Sequence, residues 1–218
     1  MAVPTRNAPA RPARLSAEDR RRQLLDVTAE IADDEGFHAV SIEAVARRAG
    51  ITRPIVYEHF GDLAGLLEAL IDRLAERAIT QLVDVLPRDL DTGDPREVLL
   101  AALRGYLEAA VKDPVTWRLI LMPPEGAPPQ ARDRIASGRN AVVQHLAEVV
   151  RPALIGGRQS PDPELTARAL SAVSDDAVRL VLTNPEVYPA DRLMGHAAWL
   201  LDQLLPPAPR RSRRSGSR

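Results

Sequence analysis

The chain has 218 residues, 45% of them hydrophobic but only 3% aromatic, with 29 basic and 30 acidic side chains and a formal net charge of −1. It has no cysteine, which excludes a disulfide framework and any cysteine-ligated zinc site. No apolar run approaches the ~20 residues of a membrane-spanning helix.

Residues 1–15 are rich in proline and alanine, lack periodicity and carry Arg6, Arg11 and Arg14 without an acid. They are expected to form a disordered basic arm, solvated or laid into a DNA minor groove. The arm lacks the apolar stretch of a secretory signal, so the expected location is cytoplasmic. Ser16 then opens a helix, with Asp19 three residues on as in a capping box. Leu24, Leu25, Thr28, Ile31 and Ala32 give this helix one apolar stripe, and Gly36 ends it.

The segment from Ser41 to Phe60, SIEAVARRAGITRPIVYEHF, predicts two short helices around a tight turn. Ser41 can cap the first, whose apolar face is Ile42, Val45 and Ala46. Gly50 suits the turn because it takes a positive φ without steric cost. Thr52 caps the second helix, and Pro54 lies in its first turn, where a missing N–H is tolerated. This is the layout of a helix-turn-helix, whose second helix enters the DNA major groove. Arg53, Pro54, Tyr57 and His59 stand where that groove would be met. Arg53 has the fork that fits guanine O6 and N7, and Pro54 and Ile55 can meet a thymine methyl.

Further along, a long helix is expected over 63–86, followed by a break at Pro87 through Pro95. A helix from about Arg96 to Val111 carries Leu99, Leu103, Tyr106, Leu107 and Ala110. A short one runs through Trp117 to Leu121. Pro123-Pro124 and Pro128-Pro129 flank a loop before a helix from about Ala131 to Val150. Two more helices follow, through Leu170, Val173, Ala177, Leu180 and Val181, and from about Ala190 to Leu205. The tail from Pro206 holds five arginines and no acid and is expected to be disordered. Without those five, 24 basic side chains face 30 acidic ones, a net of −6. No alternating run bounded by hairpin turns appears. The fold class is therefore all-α, with about nine helices by apolar periodicity.

Enzymatic signatures are absent. His38, His59, His145 and His196 form no metal-ligand spacing, and no GxSxG, GxxxxGK[ST] or GxGxxG motif occurs. Asp175 and Asp176 are neighbours on a helix; catalytic carboxylates are conceivable there, but the two side chains point about 100° apart. A solvated edge or a polar contact inside a pocket or interface explains them better. No catalytic residue, metal ligand or cofactor is assigned. A non-specific DNA-coating helical protein is the rival reading, since both ends are arginine-rich, and a helical enzyme is a more distant one.

The run from Arg21 to Leu74 resembles the amino-terminal domain of the TetR (tetracycline repressor) family of transcription regulators. The matching pieces are EGF at 35–37, Ser41-Ile42, Val45-Ala46, AGIT at 49–52, Tyr57, His59-Phe60 and Leu66-Leu67. Leu63, where many members carry a phosphate-contacting lysine, and Glu43 depart from the pattern. The resemblance implies that Ser41, Thr52, Tyr57 and His59 mainly touch phosphate. It implies a DNA-binding domain over 16–62, a connecting helix over 63–86 and a ligand-binding and dimerisation domain over 87–205. Tyr106, Trp117 and Met122 would lie in the segments lining a pocket for a small, largely apolar effector. A homodimer would pair the last two helices through Leu170, Val173, Ala177, Leu180, Leu193, Ala197, Leu200 and Leu204. Such a dimer would read a palindromic operator and, acting as a repressor, leave it when the effector binds.

Overall fold

The computed structural model describes residues 15–85, 94–123, 127–154 and 161–204; the basic arm before Leu15 and the arginine tail lie outside them. Nine α-helices and no strand occur among the described residues. α1 (Ala17–Glu35) leads through a single 3₁₀ turn (Phe37–Ala39) to α2 (Ile42–Arg48) and α3 (Arg53–Phe60). α4 (Leu63–Val85), α5 (Pro95–Lys112), α6 (Pro114–Leu121), α7 (Pro129–Leu154), α8 (Pro163–Thr183) and α9 (Ala190–Leu204) follow.

Local chemistry explains the boundaries. The Ser16 hydroxyl accepts from the Asp19 N–H at 3.0 Å and donates to the Asp19 carboxylate at 2.7 Å. Three helices begin at an Asp-Pro pair: Asp94-Pro95, Asp113-Pro114 and Asp162-Pro163. Proline at the first helical position gives up an N–H that would have no partner, and its fixed φ suits the helix. Asp94 accepts from the Arg96 N–H, and Asp162 from those of Glu164 and Leu165. Pro95 thus starts α5, where the proline alone had suggested a break. Similarly, α7 runs past the expected end at Val150 and through Pro152, because Leu154 is buried with Val149, Val150, Leu99 and Leu201.

One core gathers Leu24, Ile31, Val45, Val56, Leu66 and Leu70 with Leu119 of α6. Fully burying such a side chain is worth about 1.5–3 kcal/mol. A second core sets Trp117 and Leu121 of α6 against Ala78 of α4, Leu107 of α5 and Val178 of α8. α4 and α6 therefore belong to both cores. The Thr28 hydroxyl, fully buried, donates to the Leu24 carbonyl at 2.6 Å, so this polar residue can sit inside α1's apolar stripe.

Gly65, in the first turn of α4, sits against the last residue of α3. A Cβ there would fall 2.3 Å from the Phe60 carbonyl oxygen. Gly65→Ala is expected to destabilise the fold by about 1–3 kcal/mol, the range for overpacked sites, read as a lower urea midpoint. An unchanged midpoint would mean that the Gly61 turn yields freely.

Candidate nucleic-acid interface and effector cavity

The helix-turn-helix is held by its own backbone. Ser41 Oγ accepts from the Ala44 N–H at 3.1 Å, and the Ile51 N–H donates to the Ala46 carbonyl at 3.0 Å. Gly50 takes φ 68° in the turn and Gly61 takes φ 78° after α3. Val45 and Val56 are fully buried between the helices, which fixes the face that α3 turns outward.

That face carries the expected contact residues. Thr52, Arg53, Pro54 and Tyr57 are exposed, while Ser41, Ile55 and His59 are half-buried. Thr52 makes no side-chain cap bond, which leaves its hydroxyl free to meet phosphate. Ser41 spends its oxygen on the cap and retains its O–H as donor. Tyr57 is half exposed, which leaves it open to a phosphate. Tyr57→Phe is expected to weaken binding to all duplexes alike, by about 1 kcal/mol for one hydrogen bond. A changed base preference in a competition assay would contradict a phosphate role.

Arg21 of α1 was not singled out by motif reading. Its Nη1 donates to the His59 carbonyl at 2.9 Å, and its guanidinium lies 4.5 Å from the Phe60 ring centroid. It holds the carboxyl end of α3 by a cation–π contact and a charge-assisted bond. Only its spacing from an amphipathic stripe was visible in the sequence, and that reads as a solvated face.

Beyond the DNA domain, a cavity of about 420 Å³ lies among α4 to α9, within the size range of small-molecule sites. Tyr106 and Trp117 line it, their rings edge to face with centroids 4.8 Å apart. Met122 caps α6 and packs in the adjoining core, outside the lining. Leu170, Val173, Ala197 and Leu200, expected at a dimer interface, line this cavity; Ala177 is buried in the second core. Leu180 and Leu193 are half-buried, and the Leu204 side chain lies outside the described residues.

Polar groups meet at one wall. Tyr106 Oη donates to Asp175 Oδ1 at 3.0 Å, and Arg139 Nη2 stands 2.9 Å from Asp175 Oδ2. Burial pushes the Tyr106 phenol up and the Asp175 carboxylate adds to the shift, so the phenol stays protonated and donates. Asp176, by contrast, is exposed, as two neighbours on a helix require.

α6 connects this cavity to the DNA domain. Trp117 Nε1 donates to Gln81 Oε1 at 2.7 Å, and Gln81 Nε2 donates to Asp113 Oδ2 at 2.8 Å. Asp113 does not cap its helix with its side chain; it also receives Arg77 at 3.1 Å. Arg77 and Arg73 both reach Asp26 of α1. The next residue on α6, Arg118, grips Asp33 of α1 with Nε at 2.8 and 3.1 Å from the two oxygens. The hydrogen bond to Asp33 raises the Arg118 guanidinium above its ordinary value. None of these long-range pairs has a sequence signal beyond scattered charges.

Among the described residues no helix is long and apolar enough to cross a membrane, and no cluster of potential metal ligands occurs. Residues 24–70 match the sequence model of the bacterial regulatory proteins of the tetR family. The HTH-type transcriptional activator FasR of Mycolicibacterium smegmatis is 27% identical over 171 residues, 78% of this chain and 76% of that protein. The HTH-type transcriptional regulator BetI of Ectopseudomonas mendocina is 37% identical over 101 residues, spanning about half of each chain at 45% and 51%. A TetR-like transcriptional regulator from Rhodococcus sp. RHA1 superposes with a TM-score of 0.69 at 26% identity, covering 88% of this chain and 98% of that one.

Proposed function

Because the chain belongs to the TetR family of helix-turn-helix DNA-binding transcription regulators, we propose that it works in the cytoplasm as a homodimeric repressor whose operator is released when a small molecule fills the cavity. The observation that supports this most is the double membership of α6. Trp117 faces the cavity, Arg118 holds α1 and Leu119 sits in the core of the DNA domain. α4 has the same double role, with Leu66 and Leu70 in that core and Ala78 and Leu82 on the cavity wall.

A ligand seated against Trp117 therefore presses on an element that cannot move without α1. Two recognition helices at half-site spacing, about 34–36 Å, suit a palindromic operator. The effector favours an arrangement with different spacing and weakens binding only by its differential affinity for the two arrangements. Arg53 reads guanine; Ser41, Thr52, Tyr57 and His59 position the backbone; Pro54 and Ile55 meet an apolar base edge. The dimer forms through outward faces of α8 and α9. A regulator, not a catalyst, is the reading: the cavity's one carboxylate, Asp175, is already held by Tyr106 and Arg139.

A second reading, activation, is favoured by one relative: the protein that shares 171 aligned residues with this chain is an activator. A reporter gene behind the operator separates the two by the sign of the response. Competition against random DNA tests the function itself. Specific operator should outcompete random duplex by about 10³-fold or more. Equal competition would instead support the DNA-coating reading.

A further inference from the structure

We propose that the cavity takes a carboxylate carried on a single aliphatic chain. This rests on the reading of the cavity as the effector site and adds the chemistry of its occupant. The walls from α4, α5, α6 and α9 are almost wholly aliphatic, with Ile79, Leu82, Leu99, Leu103, Leu121 and Leu200 among them. The two aromatic rings offer little to a flat ligand, since Tyr106 and Trp117 pack edge to face on each other. Their polar atoms are also taken: the Trp117 N–H by Gln81, the Tyr106 O–H by Asp175.

The charged lining is confined to α7 and α8: Arg134, Arg139 and Asp175. Two guanidinium groups thus face one carboxylate. Both oxygens of Asp175 are engaged, by Tyr106 and Arg139, and its residue is only 8% exposed. Arg139 gives Asp175 one nitrogen, which leaves most of its five N–H donors for another acceptor. Arg134 is paired only at 3.5 Å, with Asp72, and both side chains are about half exposed. An anionic head can therefore join Arg139 without disturbing Asp175, with Arg134 adding positive charge to the cavity lining. A cationic head would have to displace Arg139 from a nearly buried carboxylate, and a neutral head would accept from a guanidinium N–H without a negative charge to match it. The arginines' exposure keeps the head partly hydrated while the chain lies against the leucines.

Calorimetric titration of the full-length protein with decanoate, decanol and decyltrimethylammonium tests this. Decanoate should bind about tenfold or more tightly than the other two, the ratio for one charge-assisted bond. Arg139→Gln should abolish that preference and, by freeing Asp175, raise the affinity for the cation. Arg139→Lys should restore part of the preference, which a merely misfolded variant would not do. Equal or tighter binding of the cation or the alcohol, no binding of any of the three, or unchanged decanoate affinity in Arg139→Gln would overturn the proposal. Operator affinity measured in the same titrations keeps the two readings apart. Decanoate that binds with the stated preference while the operator stays bound would uphold the ligand class and sink ligand-driven release.

Discussion

Trp199→Glu is expected to yield a folded monomer whose operator affinity falls by about 10²–10⁴, the advantage that linking two binding modules confers. Trp199 is 57% exposed on α9 and stacks on His196, with ring centroids 5.5 Å apart. Leu165 of α8 is also exposed, at 65%. Large apolar side chains left in water on these two helices are what a second copy would cover. A carboxylate at position 199 would be desolvated in that contact without a partner. In the free chain the same carboxylate stays in water, so the fold survives. Leu200→Glu would discriminate less well, because Leu200 lines the cavity. Sedimentation and operator titration check the result together. A folded Trp199→Glu dimer with native affinity would place the interface elsewhere.

Arg118→Ala is expected to destabilise the protein by about 2–3 kcal/mol and to blunt the effector response. The Asp33 side chain is only 9% exposed, while that of Arg118 is 35% exposed. Breaking a buried pair by removing one partner costs about 3–5 kcal/mol, and water admitted on the open arginine side lowers that figure. The loss of response follows from position. Arg118 is the charged link between the helix that carries Trp117 and the first helix of the DNA domain. Without it, only packing such as that of Leu119 couples α6 to α1, so less of a ligand-driven shift is passed on. Urea unfolding reads the first effect, and operator affinity with and without effector reads the second. Native stability with a native response would make the Arg118–Asp33 pair a bystander.

The helix-turn-helix was legible because its constraints are local. Gly50 must take a positive φ, Ser41 must cap, and Val45 and Val56 must meet; each follows from a residue and its near neighbours. The helices of the body were legible from periodicity, but Asp-Pro starts resembled breaks because a proline both ends one helix and begins another. The dimer residues show the limit of periodicity. It marks Leu170, Val173, Ala197 and Leu200 as an apolar face, yet a cavity, a core and a second copy all demand such a face. In the structure these four line the cavity. Arg21, Gln81, Asp113 and Arg118 were missed for a different reason. Their partners lie between 32 and 85 residues away, and an arginine on a helix looks the same in sequence whether solvated or paired.

The central claim is that α3 reads a defined sequence on a palindrome, with Arg53 as a base-reading residue. Arg53 is exposed on the first turn of α3, and a bidentate arginine–guanine pair discriminates by about 1–3 kcal/mol. Selection of bound duplexes from a random pool, run in parallel on the native protein and Arg53→Ala, tests this directly. The native protein should enrich a two-fold symmetric site with half-site centres about one helical turn apart. Arg53→Ala should enrich the same site with one guanine position in each half relaxed. No enriched sequence with the native protein, or an identical consensus from both, would contradict the account.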